Sequence, residues 1–251
     1  MNKVLLAEYL LALGDDELLL GHRVSEWCGH APILEEDIAF ANIALDEIGH
    51  ARLWYQLVAE LRGEDPERYP DQLAFFRTAN EFRALPLLQL PNGDWAFSLL
   101  RQYLFDAFEA QRLEGLARSE YAALAEAAAK IRTEELYHLR HSRAWIPRLG
   151  LGTEESHRRL QDALDALWPY AQGLGVPLDS EDELVEAGLV PATGELFTAW
   201  RAEVGKFLEE ADLKLPDADP GHGDRRQHTE HLAELLDDMQ EVARFDAEAQ
   251  W

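Results

Sequence analysis

Two short words in the sequence place a carboxylate and an imidazole three residues apart. Glu47 and His50 stand in Asp46-Glu47-Ile48-Gly49-His50-Ala51-Arg52, and Glu135 and His138 in Glu134-Glu135-Leu136-Tyr137-His138-Leu139-Arg140. On a helix that spacing puts both side chains on one face, where they can reach the same ion. Two such pairs, completed by one Glu from each of two further helices, make the ligand set of a two-iron centre inside a helical bundle. A lone pair is poor evidence, because a chain with 48 acidic residues and nine histidines yields roughly one by chance. A third copy, Glu154 and His157, falls in the first turn of a predicted helix, where acids complement the dipole, and reads as surface. The other two recur in register 88 residues apart (47 to 135), each with an acidic pair, a His and an Arg, as in a repeated helical hairpin.

If the hairpin repeats, the helix preceding each pair must supply a carboxylate at matching height. Reflecting Glu47 through a turn near residue 31 lands on Asp15, Asp16 and Glu17, of which Glu17 has the longest reach with Asp16 and Asp15 beside it. Reflecting Glu135 through a turn near 119 brings Asp106 and Glu109 into range, three residues apart on one face. The metal set is therefore Glu17, Glu47, His50, Glu109, Glu135 and His138, with Asp106 and Glu134 as second choices. The competing reading is a metal-free network of buried Glu, His and Arg between helices, since buried charges need partners.

The elements that must position these groups are helical throughout. Leu6, Leu10, Leu13, Leu20, Val24 and Trp27 recur at helical spacings and mark one buried stripe on a first helix ending near Gly29. A second follows Pro32 through Ile38, Leu45, Ile48, Leu53 and Leu57 to Arg62. Residues 71–85 read as a connecting helix stopped by Pro86. Asp94 caps a third long helix to about Arg118, and a fourth runs from Tyr121 to Trp145, stopped by Pro147 and Gly150. Two hairpins flanking one crossover match a ferritin-like four-helix bundle with one long connection. Beyond it, Thr153 caps a helix to about Tyr170, Ser180 and Glu183 form a capping box, Thr193 opens a helix to Asp212, and a last helix spans Arg226 to Arg244. The expected organisation is one all-α domain over 1–251, with a bundle core about 4–148 and accessory helices about 153–245.

A net charge of -25 repels phosphate backbones and anionic lipid, which argues against nucleic acid or membrane as partner. No window is apolar enough to span a bilayer. One cysteine, Cys28, precludes an internal disulfide, fits the cytoplasm, and reads as a small core residue. Trp27, Trp54, Trp95, Trp145, Trp168 and Trp200 read as core or interface anchors. In a second cluster, His222, His228 and His231, the latter two share a helical face, and no carboxylate or Cys completes a metal set.

Beyond spacing, several words carry a resemblance along the whole chain: Ser25-Glu26-Trp27-Cys28-Gly29-His30-Ala31-Pro32, Asn42-Ile43-Ala44-Leu45-Asp46, Gln89-Leu90-Pro91-Asn92-Gly93, Arg101-Gln102-Tyr103, Tyr137-His138-Leu139-Arg140, Ala199-Trp200, and His228-Thr229-Glu230-His231-Leu232 with Met239-Gln240. The chain resembles the C-subunit (PaaC) family of the phenylacetyl-coenzyme A epoxidases. The resemblance implies a part in phenylacetate catabolism, within a multicomponent monooxygenase that converts phenylacetyl-CoA to its ring-1,2-epoxide. Oxygen is the oxidant, and electrons come from NADPH through a separate reductase. It also implies a non-catalytic subunit that scaffolds a homologous A subunit bearing the di-iron site and the thioester. With a small B subunit these form a hetero-oligomer, and a homodimer is the alternative for the chain alone. On this reading the chain holds no catalytic or cofactor-binding residues, and iron lies with the partner. Many members of the PaaC family have eroded ligand positions, whereas Glu17, Glu47, His50, Glu135 and His138 are all present here. That departure keeps open the alternative of an iron-binding, oxygen-activating subunit in its own right.

Overall fold

The computed structural model describes residues 2–217 and 223–246. Among them every regular element is a helix: α1 Lys3–Ser25, α2 Leu34–Arg62, α3 Tyr69–Phe75, α4 Pro86–Gln89, α5 Trp95–Leu116, α6 Ala122–Gly150, α7 Glu154–Ala171, α8 Glu181–Glu186, α9 Thr193–Glu210 and α10 His231–Phe245. The class is all-α and ferritin-like with additional helices, as expected. No helix among the described residues is long and apolar enough to cross a membrane. The described residues form two compact units, one from residues 2–30, 34–91 and 225–246, the other from 31–33, 92–217 and 223–224.

In the first unit α1 and α2 form a hairpin. Asn2 caps α1 by accepting from the Leu5 N–H at 3.4 Å. From Leu6 to Val24 all residues but Glu8 and His22 are buried, so α1 is enclosed on nearly all sides rather than along one stripe. The turn passes through Gly29 at φ +80, a conformation other residues rarely adopt, and its N–H donates to Asp37 at 2.9 Å. Gly14 lets the helices close, because a Cβ there would lie 2.5 Å from the Tyr55 ring. Gly14→Ala gains about 1 kcal/mol of helix propensity but overpacks a fixed ring, which costs about 1–3 kcal/mol. A net loss is expected, seen as a lower urea midpoint at unchanged slope.

On α2 the buried side is Phe40, Ile43, Ala44, Trp54 and Val58, whereas Ile38, Leu45 and Ile48 face solvent. The sequence reading ran the helix through those three without saying which face is buried. The helix is apolar on two faces, and periodicity alone does not say which one the core takes. The expected connecting helix over 71–85 is replaced by α3, a 3-10 turn at Ala79–Glu81 and α4. Pro86 begins α4, where its missing N–H costs nothing, so it starts a helix as well as ending the segment before it. α10 packs on α3 and α4, its Gln240 side chain donating to the Ala74 and Arg77 carbonyls at 2.9 and 3.1 Å.

In the second unit Asp94 caps α5 through the Phe97 N–H at 3.0 Å, as expected. α6 continues through Pro147 to Gly150, where a stop at Pro147 was expected. Three residues from the end, the ring removes one bond without ending the last turn. Thr153 caps α7, with Ser156 returning the bond. Ser180 precedes α8 but is left-handed (φ 59) and makes no side-chain cap. Glu181 instead binds the Thr193 N–H and hydroxyl at 2.8 and 2.7 Å, which joins α8 to α9 and draws Thr193 inside its helix behind Ala192. Trp200 stacks on Trp168 at 5.6 Å and donates to the Leu104 carbonyl at 3.0 Å, fixing α9 against α7 and α5. Trp54, Trp168 and Trp200 are fully buried, while Trp95 and Trp145 meet edge to face at 6.0 Å. Cys28 is exposed, against expectation, because α1 ends at Ser25 and the turn carries the thiol outward.

Candidate metal centre

Asp15, Asp16 and Glu17 follow one another on α1, and all three are fully buried. Consecutive helical positions point in different directions, so each meets different partners. Asp15 accepts from the Tyr55 hydroxyl at 2.7 Å, from Arg77 Nη1 at 3.1 Å and from the Arg83 N–H at 2.7 Å. Burial together with Asp15 drives the Tyr55 phenol well above its usual range. Burial opposes the Arg77 charge, but Asp15 and Tyr55 outweigh it and hold the guanidinium more firmly protonated. Asp16 accepts from the Leu85 N–H and from Arg225 Nη1, both at 2.8 Å. These two aspartates thus tie the crossover and the returning C-terminal segment to α1.

Glu17 turns toward α2. Its Oε2 lies 3.7 Å from His50 Nδ1, and Glu47 Oε2 lies 4.0 Å from the same nitrogen. Gly21 allows the approach at this height: a Cβ there would fall 3.0 Å from Glu47 Cβ. Glu17, Glu47 and His50 each offer one ligand atom, all within 4.8 Å of one another and closed to solvent. Two carboxylates and an imidazole fit divalent iron, manganese or zinc.

In the second unit His138 Nδ1 lies 3.3 Å from Glu135 Oε1, both fully buried, so the second pair is also assembled. Glu109 is buried too, but its carboxylate accepts from Arg112 one turn further along α5. The guanidinium sits 5.5 Å from the Phe108 ring centroid and the residue is 4% exposed, so this is an internal cation and not a surface charge. Asp106, the second choice, accepts from Gln102 Nε2 at 2.7 Å and from the Ser142 hydroxyl at 3.3 Å. Glu134 is half-buried at the helix edge. Glu135 and His138 therefore fit a metal, while Glu109 is already balanced by the chain's own cation. Arg112 was not singled out from sequence, although Glu109-x-x-Arg112 is itself a helical ion-pair spacing.

Glu154 is exposed in the first turn of α7, as expected of a surface residue, whereas His157 is half-buried and its Nδ1 contacts the Gly150 carbonyl at 2.8 Å. His228 and His231 do not share a helical face, because α10 begins only at His231. His228 Nδ1 instead meets Gln89 Nε2 at 3.2 Å, and Gln89 Oε1 accepts from the Thr229 N–H at 2.8 Å. His222 lies outside the described residues. His231 borders a cavity of about 690 Å³ with Arg23, Glu26, Glu234, Asp238 and Glu241.

The sequence profile of the phenylacetic acid catabolic protein family matches residues 2–251. The chain is also similar to a curated protein of Escherichia coli K12, the C component of the 1,2-phenylacetyl-CoA epoxidase, at 41% identity over 248 residues, 98% of this chain and 99% of the relative.

Proposed function

This chain belongs to the phenylacetic acid catabolic protein family, and we propose that it serves there as the non-catalytic subunit of a ring-1,2-epoxidase acting on phenylacetyl-CoA. Its role is to scaffold a homologous A subunit that holds the di-iron site, alongside a small B subunit and an NADPH-dependent reductase in the cytoplasm. The observation that carries the reading is Arg112 on Glu109. A pair of metal ions draws negative ligands from every helix of the set, and a buried guanidinium already neutralises one of them.

A second reading rests on Glu17, Glu47 and His50, whose donor atoms are gathered and dry. In that reading these three hold iron, which when bound supplies redox chemistry toward oxygen. The chain's own part is then to orient the imidazole through the neighbouring carboxylates and to exclude water.

Producing the A subunit with and without this chain tests the proposal. The A subunit is expected to be insoluble or poorly active alone and to recover with this chain present. An A subunit that is soluble, iron-loaded and fully active by itself contradicts it.

A further inference from the structure

The outer face of α2 carries Leu34, Ile38, Ala41, Leu45 and Ile48 at spacings of four, three, four and three. Those are the intervals of a coiled-coil seam, along which side chains interlock with a second helix. Leu34 is 71% exposed, Ile38 54%, Leu45 69% and Ile48 42%. The seam runs about 21 Å along a straight helix. Leu34, Ile38 and Leu45 lie on the side of α2 turned away from Ile43, Glu47 and His50, which are buried, while Ile48 at the seam's end reaches the edge beside Gly21 of α1. A water-facing apolar stripe of this length, on a helix already fixed to α1, is out of place on a free surface.

We infer that this seam docks a helix of a partner protein, one that brings an apolar seam of its own with Lys and Arg along its edges. The charge pattern selects that occupant. Beside the seam Glu35 is exposed and Asp37 and Asp46 are half-buried, residues 34–51 contain no Lys or Arg, and the whole chain carries -25. A second copy would set acid against acid in either direction, and flanking charges of this kind decide which helix pairs with which. Arg52, at the end of the seam, is engaged with Glu67 at 2.9 Å and does not offset the acids. The inference rests on the scaffold reading and deepens it by naming the face that the scaffold uses.

The test uses the full chain and the family's A-type subunit as probe, with binding followed by titration and sedimentation. Leu45→Glu is expected to weaken the complex on the order of 100-fold, as loss of a central apolar anchor does. Because Leu45 is exposed, the variant's own thermal midpoint should not move. Leu151→Glu, at a residue 62% exposed outside the seam, should bind as the wild type does. Wild-type binding should also weaken with added salt. A complex formed equally well by wild type and Leu45→Glu overturns the seam while leaving the scaffold reading intact. No complex with the wild type overturns both. A wild-type dimer that Leu45→Glu turns into monomers overturns the choice of occupant.

Discussion

Replacing Arg77 by methionine is expected to lower folding stability by about 3–5 kcal/mol, because it removes one partner of a buried ion pair and leaves the other's charge in place. Asp15 is fully buried and would keep only the Tyr55 hydroxyl and the Arg83 N–H. The same change releases the Leu73 and Glu81 carbonyls, which Arg77 binds at 2.5 and 3.2 Å, so the crossover loosens as well. For a chain of this size the thermal midpoint should fall on the order of 10 °C. Asp15→Asn in the same background should recover part of the loss, since the uncompensated charge is then gone. A loss below about 1 kcal/mol, the range of an exposed pair, would show that the network is not dry.

Arg112→Met should act through the same physics with an added consequence. Glu109 loses its buried cation, so the metal-free protein should be destabilised by about 3 kcal/mol. The carboxylate is then short of positive charge and becomes a better metal ligand. Zinc, a redox-silent probe, should therefore raise the midpoint of Arg112→Met more than that of the wild type; one site filled at one hundred times its Kd stabilises the variant by about 2.7 kcal/mol. Equal shifts in both proteins would mean that Arg112 does not compete with a metal. Chelation should return the variant to its destabilised midpoint.

What could be read from sequence was local. Asp94 and Thr153 were legible as caps because a cap bonds within three residues. The two Glu-x-x-His pairs were legible because a helix imposes their geometry over one turn. The roles of Asp15 and Asp16 were not, since their cationic partners, Arg77 and Arg225, lie 62 and 209 residues away. Ser180 illustrates a competing interaction: the capping-box letters are present, but Glu181 satisfies Thr193 and the backbone at 180 is left-handed. α2 shows the limit of periodicity, because its two apolar faces look alike in sequence and only one packs against α1. Arg112 is legible in principle, because Glu109-x-x-Arg112 is a helical ion-pair spacing, but the same spacing from Asp106 to Glu109 also suits a pair of metal ligands.

The most direct test of the scaffold reading is the turnover of the reconstituted epoxidase with Glu47→Gln and Glu135→Gln introduced together in this chain alone. If the chain is a non-catalytic scaffold, phenylacetyl-CoA turnover should stay within about a factor of two of wild type, because neither residue stabilises the transition state. Turnover falling to background, with the complex still intact by mass, would contradict the account and place oxygen activation in this chain.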